Sequence, residues 1–522
     1  MENKDMTEYL QSLIDRAAEG DTVQLPAGTV YVSRPLVVRD KKNVKICGQD
    51  THFLHTGYDM TNREVQADTA LFVLEGCTGV TLENFSVDYV GFVSIAGTVL
   101  ETNAGENPYF VMRLYPEFEE MTGEEYYRTT MSFDSDGAPN YHCSLWENEF
   151  SVEKIGKGLL KVSCRNAAAA ERLSIGEAVN IRLSLKGAAV ILNMASADTL
   201  FKDITIYQAV CGSFLIGMRS GSVTFDHVVI TFKEGTRQLM SSNADAIHIA
   251  GMTGKLTVRN SVFDGLGDDA VNVHSRAGIL TSVDVANKTV HFVDGWSKEP
   301  TDSTWAQAGD TVEFYDPKTF LPKGTAVVAC YTGDTLLLDA VPETAAEGDV
   351  VANLAYLPSV HIADCIVTRN RARAFLIQTR NVVIENCQMN RISLPAIIVA
   401  PDIQRWFEVG PAQNVVIRNN TMQKCAFISD PANMGAIVVK ASHDAGYADY
   451  PAGVHRDILI EGNTIDDTAN SAIFVSATSG LTVRHNRIGS FGTVKNHLPS
   501  GEHAVFCVNC TEVKTENNTC EG

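Results

Sequence analysis

Positive charge is scarce in this chain: 42 Lys and Arg face 63 Asp and Glu over 522 residues, a net charge of -21. That balance excludes a nucleic-acid partner, because holding a phosphate backbone needs clustered cations. It also weighs against a polyanionic substrate, unless a local basic cleft overrides the global field. Proline is sparse at 16 residues, and no long low-complexity segment interrupts a composition that is 45% hydrophobic. The opening MENKDMTEYLQSLIDRAAEG is amphipathic and acidic and has no apolar core, so it reads neither as a signal nor as a membrane span. As written the chain is expected to be cytoplasmic; prior removal of an export signal would make it secreted or periplasmic. Cys507 and Cys510 form a close pair, but no second such pair completes a zinc set and no helix follows to make a redox motif. The remaining cysteines, Cys47, Cys77, Cys365 and Cys387 among them, read as reduced core residues. No Gly-rich phosphate loop and no nucleophilic serine elbow is present. The sequence fixes no oligomeric state.

What is there is repetition. An alternating apolar strand, an Asn-rich turn and a second short strand recur as LTVRNSVFDG (256–265), VHIADCIVTRN (360–370), VVIENCQMNR (382–391), VVIRNNTMQK (415–424), ILIEGNTIDD (458–467) and LTVRHNRIGS (481–490). The pitch is 22 residues from Asp364 to Asn386 and 23 from Asn463 to Asn486. That spacing predicts coils of about three short strands in a right-handed parallel β-helix; the leucine frame of a leucine-rich repeat is missing. Val and Ile point inward, and Asn at the turns tolerates left-handed backbone and can stack into an internal ladder.

The reading divides the all-β chain into a capping helix (1–20), a first stretch of β-helix (21–100), an inserted barrel-like module (101–188), a second stretch of β-helix (189–276), another inserted barrel-like module (277–352) and a final stretch of β-helix (353–522). Asp5 and Glu8 have the spacing of a capping box ahead of the apolar stripe Leu10, Leu13, Ile14 and Ala17. The helix is expected to cover the open end of the first coil.

Against that rhythm two segments stand out, NADAIHI (243–249) and GDDAVNVH (267–274). Registering Ala246 on Ala270 stacks Asp245 on Asp269, Ile247 on Val271 and His248 on Asn272. Neighbouring parallel strands lie roughly 4.8 Å apart, so Asp245, Asp268 and Asp269 can face one substrate. Isolated Asp residues often only end strands and cap turns; three in register point to hydrolysis. Glycoside cleavage needs an acid for the departing oxygen and a base for water, and mutual repulsion among carboxylates separates their pKa values. Asp245 and Asp269 are expected to orient a water and Asp268 to serve as the acid, an allocation that geometry could reverse. His248, Asn272 and His274 share outward parity and suit sugar hydroxyls. Farther along, Arg373 is a clamp for a substrate oxygen or a counter to the negative field, and in PDIQRWFEVGP (401–411) Trp406 suits a sugar face and Glu408 or Asp402 its hydroxyls. Ligation of a metal by Asp245, His248, Asp268 and His274 matches no strong zinc or calcium signature. The expectation is no cofactor and no metal.

These segments, with RARAFLIQT and RWFEVGP-VVIRNNT, resemble glycoside hydrolase family 110, the α-1,3-galactosidases acting on blood group B and linear B-type termini. The likeness spans residues 20–520. It implies a right-handed β-helix with barrel insertions and metal-independent, inverting, exo-acting release of one terminal α-1,3-linked galactose. By that analogy Asp245, Asp268 and Asp269 are catalytic, and His274, Arg373, Trp406 and Glu408 line the pocket. The implied partners are terminal α-galactosyl oligosaccharides or glycoconjugates, with linear Galα1-3Gal preferred over the fucosylated blood group B branch. The alternatives are another β-helix glycosidase of polygalacturonase type and a non-catalytic carbohydrate-binding solenoid.

Overall fold

The computed structural model describes residues 4–121, 123–184, 186–217, 219–301, 304–428, 434–441, 450–495 and 498–521. Its body is a parallel β-helix in which three ladders run the length of the stack. The first ladder includes Lys255–Arg259, Ser359–Ala363, Val382–Glu385 and Gln413–Arg418, and the second Val262–Asp264, Ile366–Asn370 and Gln388–Ile392. The third carries Phe214–Ile216, Ile247–Ala250, Val271–Asp284, Phe375–Ile377 and Ile397–Val399. The core follows from period-two alternation: Ile247, Ile249, Val271, Val273, Phe375 and Ile377 are all fully buried inside the coil. Each such side chain contributes roughly 1.5–3 kcal/mol by leaving water, and a one-residue slip would expose the whole set.

Turns are held by side-chain amides. Asn420 donates to Asn463 Oδ1 at 3.0 Å, Asn463 to Asn486 at 3.0 Å and Asn486 to Asn518 at 2.9 Å, an internal ladder as expected. Beside it Asn386, Asn419 and Asn517 adopt positive φ of 57°, 56° and 53°, conformations that asparagine tolerates better than most residues. All twelve cysteines are free thiols. No helix among the described residues is long and apolar enough to cross a membrane.

The helix Thr7–Arg16 buries Leu10 and Ile14 and covers the first coil, with the Gln11 amide bonded to both the N–H and the C=O of Val37 at 2.8 Å. The capping box does not form. Asp5 lies one residue too early, accepts from Thr7 N at 2.9 Å and Thr7 Oγ1 at 2.6 Å, and leaves Glu8 to pair with Arg34.

The two inserts differ. The second closes into a six-stranded barrel of Val271–Asp284, Thr289–Asp294, Thr335–Leu338, Pro322–Tyr331, Thr311–Tyr315 and Val350–Asn353, the last strand returning to the first. It opens inside a single strand: Val271–Val273 belong to the β-helix and residues from Ala277 onward to the barrel. The first insert is a six-stranded antiparallel sheet over its own core, and its outer strands, Phe150–Gly156 and Thr129–Phe133, share no ladder among the described residues.

Candidate active site

The third ladder ends at one edge in a column of polar residues. Ile247 pairs with Val271 and Val271 with Phe375, so His248, Asn272 and Leu376 lie in one outward row. Two residues earlier, Asp245, Asp269 and Arg373 follow the same stacking, with Ala246 N donating to Asp269 O at 2.9 Å and Ala270 N to Arg373 O at 3.2 Å. A pocket of about 290 Å³ opens over this column, lined by Asp245, His248, Asp268, Asp269, Asn272, Arg373, Leu376, Asp402, Trp406 and Glu408. One oxygen from each of Asp245, Asp268 and Asp269 lies within 4.8 Å of the other two. Nine of the ten residues singled out from sequence line the pocket. His274 does not: it is buried behind His248, Nε2 to Nε2 at 3.0 Å.

Both inserts help to fix the site. Arg182, buried in the first insert, donates to Asn243 O at 2.7 Å, and the Asn243 amide bonds Val93 O, Ser184 O and Val210 O. Gly267 is required before the acidic pair, because a Cβ there would lie 2.4 Å from Asn243 O. The strand that leaves the pocket for the barrel pairs Arg276 with Glu408 and Ser275 with Val409, which turns Glu408 toward the acidic column. Asp402 shapes the loop before it, accepting from Gln404 N, Arg405 N and Trp406 N at 2.8, 2.9 and 3.0 Å.

The three aspartates have different surroundings. Asp269 is almost fully buried; its Oδ1 accepts from Arg373 Nε at 2.7 Å and Arg373 N at 3.0 Å, and its Oδ2 from Arg373 Nη2 at 2.8 Å. Burial pushes this carboxyl up to about 7, against the pull of Arg373 and with a further push from Asp268. Arg373, whose charged form burial alone would disfavour, is held firmly protonated by Asp269. Asp245 accepts from His248 Nδ1 at 2.5 Å and from Asp269 N at 3.0 Å. Burial raises its pKa, but the His248 hydrogen bond and charge carry it below the ordinary carboxylate value. His248 is correspondingly raised despite its own burial, whereas burial and the His248 charge hold His274 down at about 3. Neutral His274 therefore accepts from the His248 imidazolium and donates its other N–H to Ser275 O at 3.3 Å. Asp268 is the outward member, its side chain 41% exposed and 3.8 Å from both Arg371 and Arg373. Burial also pushes Glu408 up to about 7.

The trio is a poor metal cage although its oxygens are close together. Both Asp269 oxygens and both Asp245 oxygens already face cationic or N–H donors, and the Arg373 guanidinium occupies the position where a cation would be attracted. What remains is a small pocket with acids at three levels of burial, a fixed guanidinium and an exposed indole. Sequence reasoning gave no role to Arg371 or Leu376, although both lie in RARAFLIQT, and none to Arg182, which the first insert brings in without any local motif.

A family model described as "Right handed beta helix region" matches residues 352–522. Alpha-1,3-galactosidase B of Bacteroides thetaiotaomicron is 25% identical over 472 residues, 86% of this chain and 76% of that protein. Alpha-1,3-galactosidase A of the same organism is 26% identical over 509 residues, covering 92% and 83%. The alpha-1,3-galactosidase A of Peterkaempfera griseoplana is 30% identical over 319 residues, 55% of this chain and 42% of that protein. The chain is thus a right-handed β-helix related to carbohydrate-active enzymes, with weak but extended similarity to α-1,3-galactosidases.

Proposed function

We propose that the protein is an exo-acting, inverting α-1,3-galactosidase that removes a terminal galactose from neutral glycans, linear Galα1-3Gal foremost. The observation that carries this reading is the convergence of Asp245, Asp268 and Asp269 within 4.8 Å in one pocket, in a chain similar over most of its length to α-1,3-galactosidases. At about 290 Å³ the pocket is at the small end of ligand cavities, which suits one terminal ring rather than the interior of a polymer. Five carboxyl side chains against one lining arginine suit a neutral sugar and oppose a uronate, which argues against the polygalacturonase alternative.

In this reading Asp268, the most accessible acid, protonates the departing oxygen, and the buried pair Asp245 and Asp269 holds the attacking water. The His248 imidazolium and Arg373 stabilise that pair. Glu408, whose carboxyl burial pushes up to about 7, faces the same pocket and hydrogen-bonds a sugar hydroxyl. Support for inversion is in bonding rather than in spacing. Oxygens within 4.8 Å are closer than the roughly 6.5–9.5 Å kept by inverting pairs. Yet N–H donors hold Asp245 and Asp269 through both oxygens, which weakens either carboxylate as a nucleophile toward carbon, while both Asp245 oxygens and Asp269 Oδ2, with one such donor each, can still accept from a water. The test is galactose release from a panel of α- and β-linked galactosides by wild type, Asp245→Asn, Asp268→Asn and Asp269→Asn. Release from α-1,3 substrates that all three variants abolish is expected. Undiminished release by the variants rejects the site, and binding without turnover in wild type favours a carbohydrate-binding solenoid.

A further inference from the structure

Two tryptophans stand in water beside the pocket, and they come from different parts of the chain. Trp406 lines the pocket and is 46% exposed; Trp296, in the turn that leaves the barrel strand Thr289–Asp294, lies outside it and is 58% exposed. Their rings are nearly parallel, at 25°, with centroids 6.4 Å apart. Trp406 lines the pocket and Trp296 does not, so the two form successive steps leading outward from the acidic column.

Both steps are rigidly mounted. Buried Asp294 accepts from Trp296 N at 3.1 Å and Ser297 N at 2.8 Å, and its other oxygen pairs with Arg276 at 2.7 Å. Asp402, also buried, holds Trp406 N at 3.0 Å. The two loops are locked together. Gly295 N donates to Ala277 O at 2.9 Å and Ala277 N to Phe407 O at 3.1 Å, and a Cβ on Gly295 would lie 2.2 Å from the Phe407 ring. Arg276 and Ala277, which tie these loops, sit on the strand that carries Asn272 into the pocket. Exposed Arg405 places its guanidinium over the Trp406 ring, 5.0 Å from the centroid.

We infer that Trp296 and Trp406 form a platform for the second sugar of the substrate, the ring that remains attached to the leaving oxygen, and that Trp296 determines selectivity for a disaccharide or longer neutral glycan. The inference rests on the galactosidase reading and deepens it. A pyranose has an apolar C–H face that packs on an indole, and its hydroxyl edge suits the Arg405 donor. A terminal ring seated in so small a pocket leaves its neighbour at the mouth, where the paired indoles lie. Because the mount is preformed, little ordering opposes the contact.

The test compares kcat/KM of wild type, Trp296→Ala and Trp296→Phe on two compounds: an α-1,3-linked digalactoside, and α-galactosyl fluoride, which has no second ring. Trp296→Ala is expected to lose about tenfold on the digalactoside and less than about twofold on the fluoride, and Trp296→Phe to recover most of the loss. Equal losses on both compounds, or none on the digalactoside, overturn the platform. If wild type releases galactose from neither compound, the galactosidase reading fails. Quenching of tryptophan fluorescence by neutral disaccharides of other linkages then decides the platform by itself: quenching in wild type that Trp296→Ala abolishes sustains it, and no quenching overturns it.

Discussion

Replacing Arg373 by Met isolates the electrostatics of the site. The side chain makes two charge-assisted hydrogen bonds to Asp269, at 2.7 and 2.8 Å, in the bidentate form that only a guanidinium provides. Removing one partner of a buried ion pair typically costs about 3–5 kcal/mol. In a solenoid that cost is felt locally, because each coil depends on its neighbours. The amides of Ala270 and Val271 report it, since they donate to Arg373 O at 3.2 Å and Ala374 O at 3.0 Å. Near pH 8 the variant's hydrogen exchange at these amides is expected to quicken on the order of 10²- to 10³-fold. The pH dependence has a definite sign. Burial already raises Asp269 to about 7, and loss of Arg373 raises it further, while the unfolded carboxyl keeps its ordinary value near 3.8. The native variant then binds a proton that the unfolded chain lacks, so its stability falls as pH rises from about 4 through 7 and beyond. Near pH 5 Asp269 is neutral with or without Arg373, and because its wild-type value is about 7 the excess exchange should shrink by about tenfold from its size near pH 8. An effect under about threefold near pH 8, or one of equal size at both pH values, would refute a charged, Arg373-dependent Asp269.

Three further outcomes follow from the same geometry. Asp268→Asn should lower kcat on an α-1,3-digalactoside by about 10²- to 10⁴-fold but far less on α-galactosyl fluoride, whose leaving group needs no proton; equal loss on both would remove Asp268 from the acid role. Glu408→Gln should raise the thermal midpoint near pH 8, where ionising a carboxyl raised from 4.5 to about 7 costs about 3 kcal/mol. That gain should nearly vanish near pH 5, where the native carboxyl is already protonated, and a gain independent of pH contradicts the assignment. Thorough chelation should leave galactose release unchanged, because donors already engage Asp245 and Asp269; loss restored by one divalent cation would reverse that argument.

The solenoid and the stacking of its acids were legible because one rule generates both. Alternation fixes which residues are buried, and the placing of Ile247 on Val271 then sets His248 on Asn272 as expected. The Asn turns were legible for the same reason, each amide bonding the next at a fixed pitch. Other features depend on distant parts of the chain. Arg373, expected as a clamp on substrate or a counter-charge, bonds Asp269 because its coil lies directly on that of Asp269. His274 shares the parity of His248, yet burial removes it from the pocket. Sequence read both inserts as barrel-like, and among the described residues only the second closes. Trp296 carried no local signal at all; it reaches the mouth because the barrel's turn is fastened to the loop bearing Trp406.

The measurement closest to the central claim is proton NMR of the sugar first released from an α-1,3-linked digalactoside, read before mutarotation. A water held by Asp245 and Asp269 yields β-galactose initially, and wild type but not Asp268→Asn should give it. Initial α-galactose would mean that one of these carboxylates bonds the sugar directly, and no galactose at all would mean that the acidic column serves some other chemistry.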